Sequence, residues 1–143
     1  MREILFRGMT EKGKWIEGDL YQSRLKSIFM ISRYSEHGNR MTEVVNPETV
    51  GQFTGLTDKN GKKIFEGDIV RADGYIFVVK FGKCGGVPNT DNYGYMGFYL
   101  EALSEGTKLC AKYGMRDDIC YFEDIEVIYN IHDNPELLEI GKE

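Results

Sequence analysis

Cysteine, histidine, proline and tryptophan are all scarce in this chain of 143 residues, which holds three Cys, two His, three Pro and one Trp. Cys84, Cys110 and Cys120 are odd in number and widely spaced. That excludes a disulfide scaffold and lacks the close Cys pairs of a structural zinc site. His37 and His132 fit no ligand spacing, so neither a metal nor a cofactor is expected. No apolar run approaches the roughly 20 residues that cross a bilayer, and the opening residues turn charged too soon for a signal peptide. A cytoplasmic protein without membrane contact is the expectation.

Positive charge is also short. The net charge is -5, which disfavours a general binder of phosphate backbones. Residues 1–71 carry 12 basic and 10 acidic side chains, a net of +2, whereas residues 72–143 carry 6 and 13, a net of -7. The second half is therefore a poor candidate for gripping nucleic acid, and its acidic end reads as a solvated face or as a surface that attracts a basic partner.

What the chain does have is glycine and β-forming residues. Seventeen Gly fall between short runs rich in Tyr, Phe, Ile and Val, the punctuation of tight β turns. Strands are expected at 4–8, 14–21, 27–33, 42–45, 50–54, 68–72, 75–81, 98–103, 119–122 and 126–131. Helical spacing is weak. Two short helical turns are expected, one at Pro47 with Asn46 as cap and one at Pro135 with Asn134 before it. The fold class is mainly β: an SH3-like small barrel over 50–143, with the strands of 1–49 packed on it, as one domain.

A local echo links the two halves. Gly13-Lys14-Trp15-Ile16-Glu17-Gly18-Asp19-Leu20 is matched by Gly61-Lys62-Lys63-Ile64-Phe65-Glu66-Gly67-Asp68-Ile69, one residue longer. In each copy the Gly of Glu-Gly-Asp is expected to allow a bend or a positive φ. Asn60-Gly61, between apolar runs, predicts a two-residue type I′ hairpin turn, and Asp73-Gly74 marks another short turn.

A search for chemistry is mostly negative. The Gly55 to Lys62 span has one residue too many for a phosphate loop and no Ser or Thr after the Lys, and Asp58-Lys59-Asn60-Gly61 has too few oxygen ligands for a calcium loop. Glu66 and Asp68, two apart, either form an acid/base pair or hold the bend through turn amides. Nothing local marks Cys84 as an activated thiol for pairing with His132. The stretch 82–97 holds many glycines and few core residues, which makes it a long loop and a candidate for partner binding, with Tyr93, Tyr95 and Met96 as anchors.

Val50-Gly51-Gln52-Phe53-Thr54-Gly55-Leu56, followed by Asp58-Lys59-Asn60-Gly61-Lys62-Lys63-Ile64-Phe65-Glu66-Gly67-Asp68-Ile69-Val70, closely resembles the signature of the YopX family of phage and prophage proteins. Phe6-Arg7-Gly8, Trp15-Ile16-Glu17-Gly18-Asp19-Leu20 and the closing Asn130-Ile131-His132-Asp133-Asn134-Pro135 agree with it. Thr54, Gly55, Asp58, Asn60, Gly61, Glu66, Gly67 and Asp68 form the structural part of that motif. Tyr129 departs from it, standing where Gly is expected. The resemblance implies an SH3-like β protein of phages or prophages in low-GC Gram-positive bacteria that self-associates. It carries over no catalytic residue.

The expected function is thus a non-enzymatic accessory protein in the cytoplasm of a bacterial host, acting through contacts with itself and with a phage or host protein. The alternative is a nucleic-acid-binding barrel that uses the more basic N-terminal half.

Overall fold

The computed structural model describes residues 2–24, 27–85, 91, 93–103 and 117–139. The fold is mainly β. Its strands are β1 (Phe6–Met9), β2 (Trp15–Gln22), β3 (Phe29–Tyr34), β4 (Arg40–Val45), β5 (Gly51–Thr57), β6 (Lys63–Phe65), β7 (Asp68–Ala72), β8 (Tyr75–Cys84), β9 (Tyr95–Ala102), β10 (Asp117–Asp118) and β11 (Glu126–Asn130). Among the described residues they make antiparallel sheets and no closed barrel. The chain divides into two compact units, Met1–Gly55 and Leu56–Glu143, with the boundary inside β5.

In the first unit the strand order is β4-β3-β2-β1-β5. Ile16, Ile31 and Val45 are buried at its centre, with Phe6, Leu20, Phe29 and Val50 packed around them. Along β2, Ile16, Gly18 and Leu20 alternate with the exposed Glu17, Asp19 and Tyr21, the period-two pattern of a strand with one covered face. The sheet curls strongly. Thr10 forms a bridge with Val45, and the Asn46 N–H donates to the Met9 carbonyl at 2.8 Å, so the end of β1 meets the end of β4. Two glycines make this curl possible. A Cβ on Gly18 would run into the Ser32 carbonyl oxygen, and one on Gly8 would lie 2.9 Å from the Val45 Cβ.

The second unit has the order β10-β9-β8-β7-β11. Val70, Ala72, Phe77, Val79 and Leu100 line one face and meet Ile64, Ile119 and Ile125 in its core. Phe122 closes this core against Phe77, with ring centroids 5.2 Å apart.

Both helical turns form as short 3-10 segments. Asn46 caps Pro47–Thr49 by accepting from the Glu48 N–H, and Pro135–Glu139 follows Asn134. Three expectations need correction. The strand placed at 119–122 is a 3-10 turn, Ile119–Tyr121, because Asp118 accepts from the Cys120 N–H at 2.7 Å and caps it. Its apolar residues Ile119 and Phe122 are three apart, which suits that geometry rather than a strand. Lys63–Phe65, absent from the expected strands, is a strand. The loop placed at 82–97 is paired at both ends: Gly82 lies opposite Gly97, Lys83 opposite Met96 and Cys84 opposite Tyr95. Residues 86–90 and 92 of that stretch lie outside the described residues.

The turns bring a further correction. Gly61 takes φ +82°, but Asn60 keeps a negative φ, so Asn60-Gly61 is not a type I′ pair. The Gly61 N–H donates to the Asp58 carbonyl and the Asp58 N–H to the Lys62 carbonyl, which makes a three-residue loop, a type I turn closed by a glycine bulge. The reason is the Asp58 side chain, whose Oδ1 accepts from the Asn60 and Lys62 N–H groups at 2.9 Å each and holds the longer loop. Type I′ signs occur instead at Asp73 (φ 51°) and Gly74 (φ 80°), between the paired Ala72 and Tyr75.

The same device recurs. Thr10 and Ser35 each stand three residues before a positive-φ glycine, Gly13 and Gly38, and each side-chain oxygen accepts from the backbone N–H beyond it, that of Lys14 and of Asn39. The echo between the halves therefore lies in the turn that precedes Gly-Lys. Its Glu-Gly-Asp parts differ: Gly67 has φ +90°, while Gly18 sits inside β2 without positive φ and serves close packing.

Candidate functional site

Two places gather the residues singled out by sequence. The first is the hairpin that carries the motif. Asp58 is buried, and its carboxylate accepts three backbone N–H bonds: Oδ1 from Asn60 and Lys62, Oδ2 from Val127 of β11 at 3.0 Å. The Lys59 N–H also donates to the Ile125 carbonyl at 2.9 Å, and Lys59 and Arg71 flank Glu126 at 3.4 and 3.7 Å. Burial pushes the Asp58 carboxyl up, but the Val127, Lys62 and Asn60 N–H groups and the Lys62 charge outweigh it, so its pKa lies below the ordinary carboxylate value. Three of the roughly four acceptor sites of this carboxylate are taken by backbone donors. Asp58 is a cross-link between turn and strand.

Asp68 acts similarly. It is 2% exposed, and its Oδ2 accepts from the Phe65 N–H at 2.8 Å, so it holds the bend between β6 and β7. Glu66 is half-buried on that bend. Gly67 completes it, donating to the Val79 carbonyl and accepting from the Ile131 N–H, with the His132 ring against its Cα. Thr54 is half-buried in β5, and Gly55 has φ +90° with open space around it. Tyr129 is exposed and needs no positive φ, so the departure from the family pattern is tolerated there. Ile128 beside it forms a bulge in the β11 register.

The second place is the outer end of the β8–β9 ribbon, and its two faces differ. Directly opposite residues share a face, and faces alternate along each strand. One face carries Gly82, Cys84, Tyr95, Gly97 and Tyr99. The Tyr99 ring lies over Gly82 and the Tyr95 ring over Gly97 and Gly85, where a Cβ on Gly85 would be 2.6 Å from the ring. The Tyr95 hydroxyl donates to the Asp118 Oδ2, which anchors that ring to β10. Cys84 is buried here. Tyr95, expected as a partner anchor, is 49% exposed while its hydroxyl is held by Asp118.

The other face carries Phe77, Val79, Phe81 and Lys83 on β8, opposite Ala102, Leu100, Phe98 and Met96 on β9. It begins in the core at Val79 and Leu100 and runs outward into solvent: Phe98 is half-buried, Phe81 is 50% exposed and Met96 65% exposed. Phe81 and Phe98 meet edge to face at 5.1 Å. Tyr93, just before β9, is 71% exposed. Of the three expected anchors, Met96 therefore lies on this apolar face beside Phe81, which sequence reading placed inside a strand and did not nominate. The signal that would have found it is the continuation of period-two alternation past residue 81.

The family pattern described as YopX protein matches residues 5–139. The chain belongs to the YopX family. Among curated proteins, none matches it. The stretch that carries the YopX signature is, in this structure, the Asp58 hairpin and the Gly67 bend, and both serve the fold. Membership thus explains why these residues stand together without lending them chemistry.

Remaining candidates for chemistry are sparse. Cys120 is exposed, and burial of its thiol together with the hydrogen bond and charge of Asp118 holds its pKa up, the opposite of an activated nucleophile. Asp118 itself is pushed up by burial but brought net below its ordinary value by Tyr95 and by the Cys120 N–H and thiol. Cys110 lies outside the described residues. Among the described residues no group of three His, Cys, Asp or Glu side chains is placed to hold a metal, and no helix is long and apolar enough to cross a membrane.

Proposed function

We propose that this YopX-family chain is a non-enzymatic accessory protein of a phage or prophage, working in the host cytoplasm through protein contacts and as a homo-oligomer. The observation that carries this reading is the apolar face of the β8–β9 ribbon, which leaves the core at Val79 and Leu100 and continues through Phe98 and Phe81 to Met96. The exposed half of a Phe side chain is about 100 Å², and removing it from water is worth roughly 2.5 kcal/mol. A run of such residues on one face is the usual centre of a protein contact, with Lys83 as part of a polar rim. The SH3-like reading of 50–143 belongs to the same proposal: the β7-β8-β9 meander, the 3-10 turn at Ile119–Tyr121 and the return of β11 to β7 support it.

Size-exclusion chromatography with light scattering tests the reading on the whole chain. The parent is expected above its 16.4 kDa monomer mass, and Phe81→Ser with Met96→Ser is expected to lower the assembly without changing the far-UV circular dichroism. A parent that stays monomeric at working concentration, or a double variant with the parent's mass, counts against it.

Nucleic-acid binding has one observation in its favour. Tyr21 and Tyr34, 57% and 69% exposed, share a sheet face with Arg40 in the first unit, an arrangement on which bases stack. Asp19 lies on that face too and opposes it. A low-salt titration with single-stranded DNA and RNA that finds no affinity removes this alternative.

A further inference from the structure

The margins of the sheets are not alike. β10 has two residues, and β11 carries a bulge between Val127 and Tyr129, both features that discourage pairing with another chain. β4 has neither. It pairs with β3 in unbroken register from Phe29 opposite Val45 to Tyr34 opposite Arg40, without proline or bulge, and lies at the margin of its sheet.

Hydrogen-bond parity says which of its backbone groups point outward. The Ser35 N–H donates to the Asn39 carbonyl at 2.7 Å, so Ser35 and Asn39 are a hydrogen-bonded pair. Stepping by two, Met41, Glu43 and Val45 also turn their N–H and C=O toward β3. Arg40, Thr42 and Val44 turn theirs away. Near Val44 the bridge between Thr10 and Val45 brings β1 against this margin. The open part is therefore Arg40 to Thr42, both exposed. Their side chains are drawn back over their own sheet, since Arg40 Nε donates to Ser32 Oγ at 2.7 Å and Thr42 Oγ1 to the same oxygen at 3.1 Å.

We propose that a second copy of this chain pairs here, β4 antiparallel to β4 about a two-fold axis, with Arg40 of one copy opposite Thr42 of the other. This register satisfies both the N–H and the C=O of Arg40 and Thr42 in each copy. Moving it two residues either way calls on Val44, where β1 already lies, or on Gly38, which is in the turn. What selects a second copy is the self-complementarity of the strand: Met41, 41% exposed, falls opposite Met41 on the axis, Asn39 falls opposite Glu43, and no like charges stand directly opposite each other. The surface lies in the first unit and is independent of the β8–β9 ribbon.

The test is a register-specific cross-link in the full chain with Cys110→Ser and Cys120→Ser. Met41 would sit in a non-hydrogen-bonded pair with Cα atoms about 4.5 Å apart, within reach of a disulfide. Under mild oxidation, Met41→Cys is expected to give a covalent dimer at least about tenfold faster than Glu43→Cys in the same background, the gain that a held geometry brings over collision. Thr42→Pro supplies a second arm. Its outward N–H has no role in a single copy, so the variant is expected to keep the parent's circular dichroism while losing the β4 contact in light scattering. Equal cross-linking by both Cys variants, cross-linking by neither, or a Thr42→Pro variant with the parent's mass overturns the proposal. Phe81→Ser is expected to leave the Met41→Cys cross-link unchanged, so failure of the ribbon and failure of the β4 edge are read separately.

Discussion

Removing the Asp58 carboxylate is the sharpest perturbation, because two other turns of the same design serve as controls for it. Thr10, Ser35 and Asp58 each accept from the backbone of their own turn, but Asp58 alone also holds a distant strand through the Val127 N–H. In Asp58→Ala the Asn60 and Lys62 N–H groups return to water at a cost of about 0.5–1 kcal/mol each, whereas the Val127 N–H, on a partly buried strand, loses its partner at about 1–3 kcal/mol. The expected destabilisation is about 2–5 kcal/mol, against about 1 kcal/mol or less for Thr10→Ala and Ser35→Ala. Urea unfolding followed by circular dichroism reads the difference as a shift in midpoint at constant slope. The pH dependence follows from the same carboxylate. Its folded pKa is depressed, so its stabilisation is present above the unfolded value near 4 and is lost as pH falls through the folded value. The gap between the parent and Asp58→Asn should therefore narrow from pH 7 toward pH 2. A loss no larger than that of Ser35→Ala, or a gap unchanged at pH 2, would refute the role assigned to Asp58.

Two further outcomes are expected. Gly18→Ala drives a methyl group into the Ser32 carbonyl and should cost more than about 3 kcal/mol, while Gly13→Ala, with positive φ but open space, should cost about 1 kcal/mol; Trp15 fluorescence in urea reports both. Asp118→Asn removes the charge and acceptor that hold the Cys120 thiol protonated, so alkylation of Cys120 near neutral pH should speed up severalfold in a Cys110→Ser background; an unchanged rate contradicts the Asp118 contact.

Much of the fold was legible because its signals are local. Short runs of β-forming residues between glycine turns located β2, β3, β7 and β8, and Asn-Pro pairs located both helical turns. The misses have local causes of another kind. At Asn60-Gly61 the dipeptide favours a two-residue turn, but the Asp58 carboxylate two residues earlier recruits the amides into a longer one. At 82–97 the glycines read as loop, yet Gly82 and Gly97 are paired strand residues whose missing side chains are replaced by the rings of Tyr99 and Tyr95. Tyr99 reaches Gly82 across the strand pair, so that contact has no signature in a window of β8.

By itself the sequence determined the strand-rich class, the positive-φ glycines of the turns and the family, since each depends on residue type and short spacing. The tertiary structure alone decided which face of the β8–β9 ribbon each side chain takes. Tyr95 and Met96 are neighbours in sequence and equal candidates as partner anchors. Pleating sends them to opposite faces, one ring to be held by Asp118 and the other side chain to water. It also decided what Asp58 does, because a carboxylate in a turn becomes a structural cross-link only when β11 arrives to meet it.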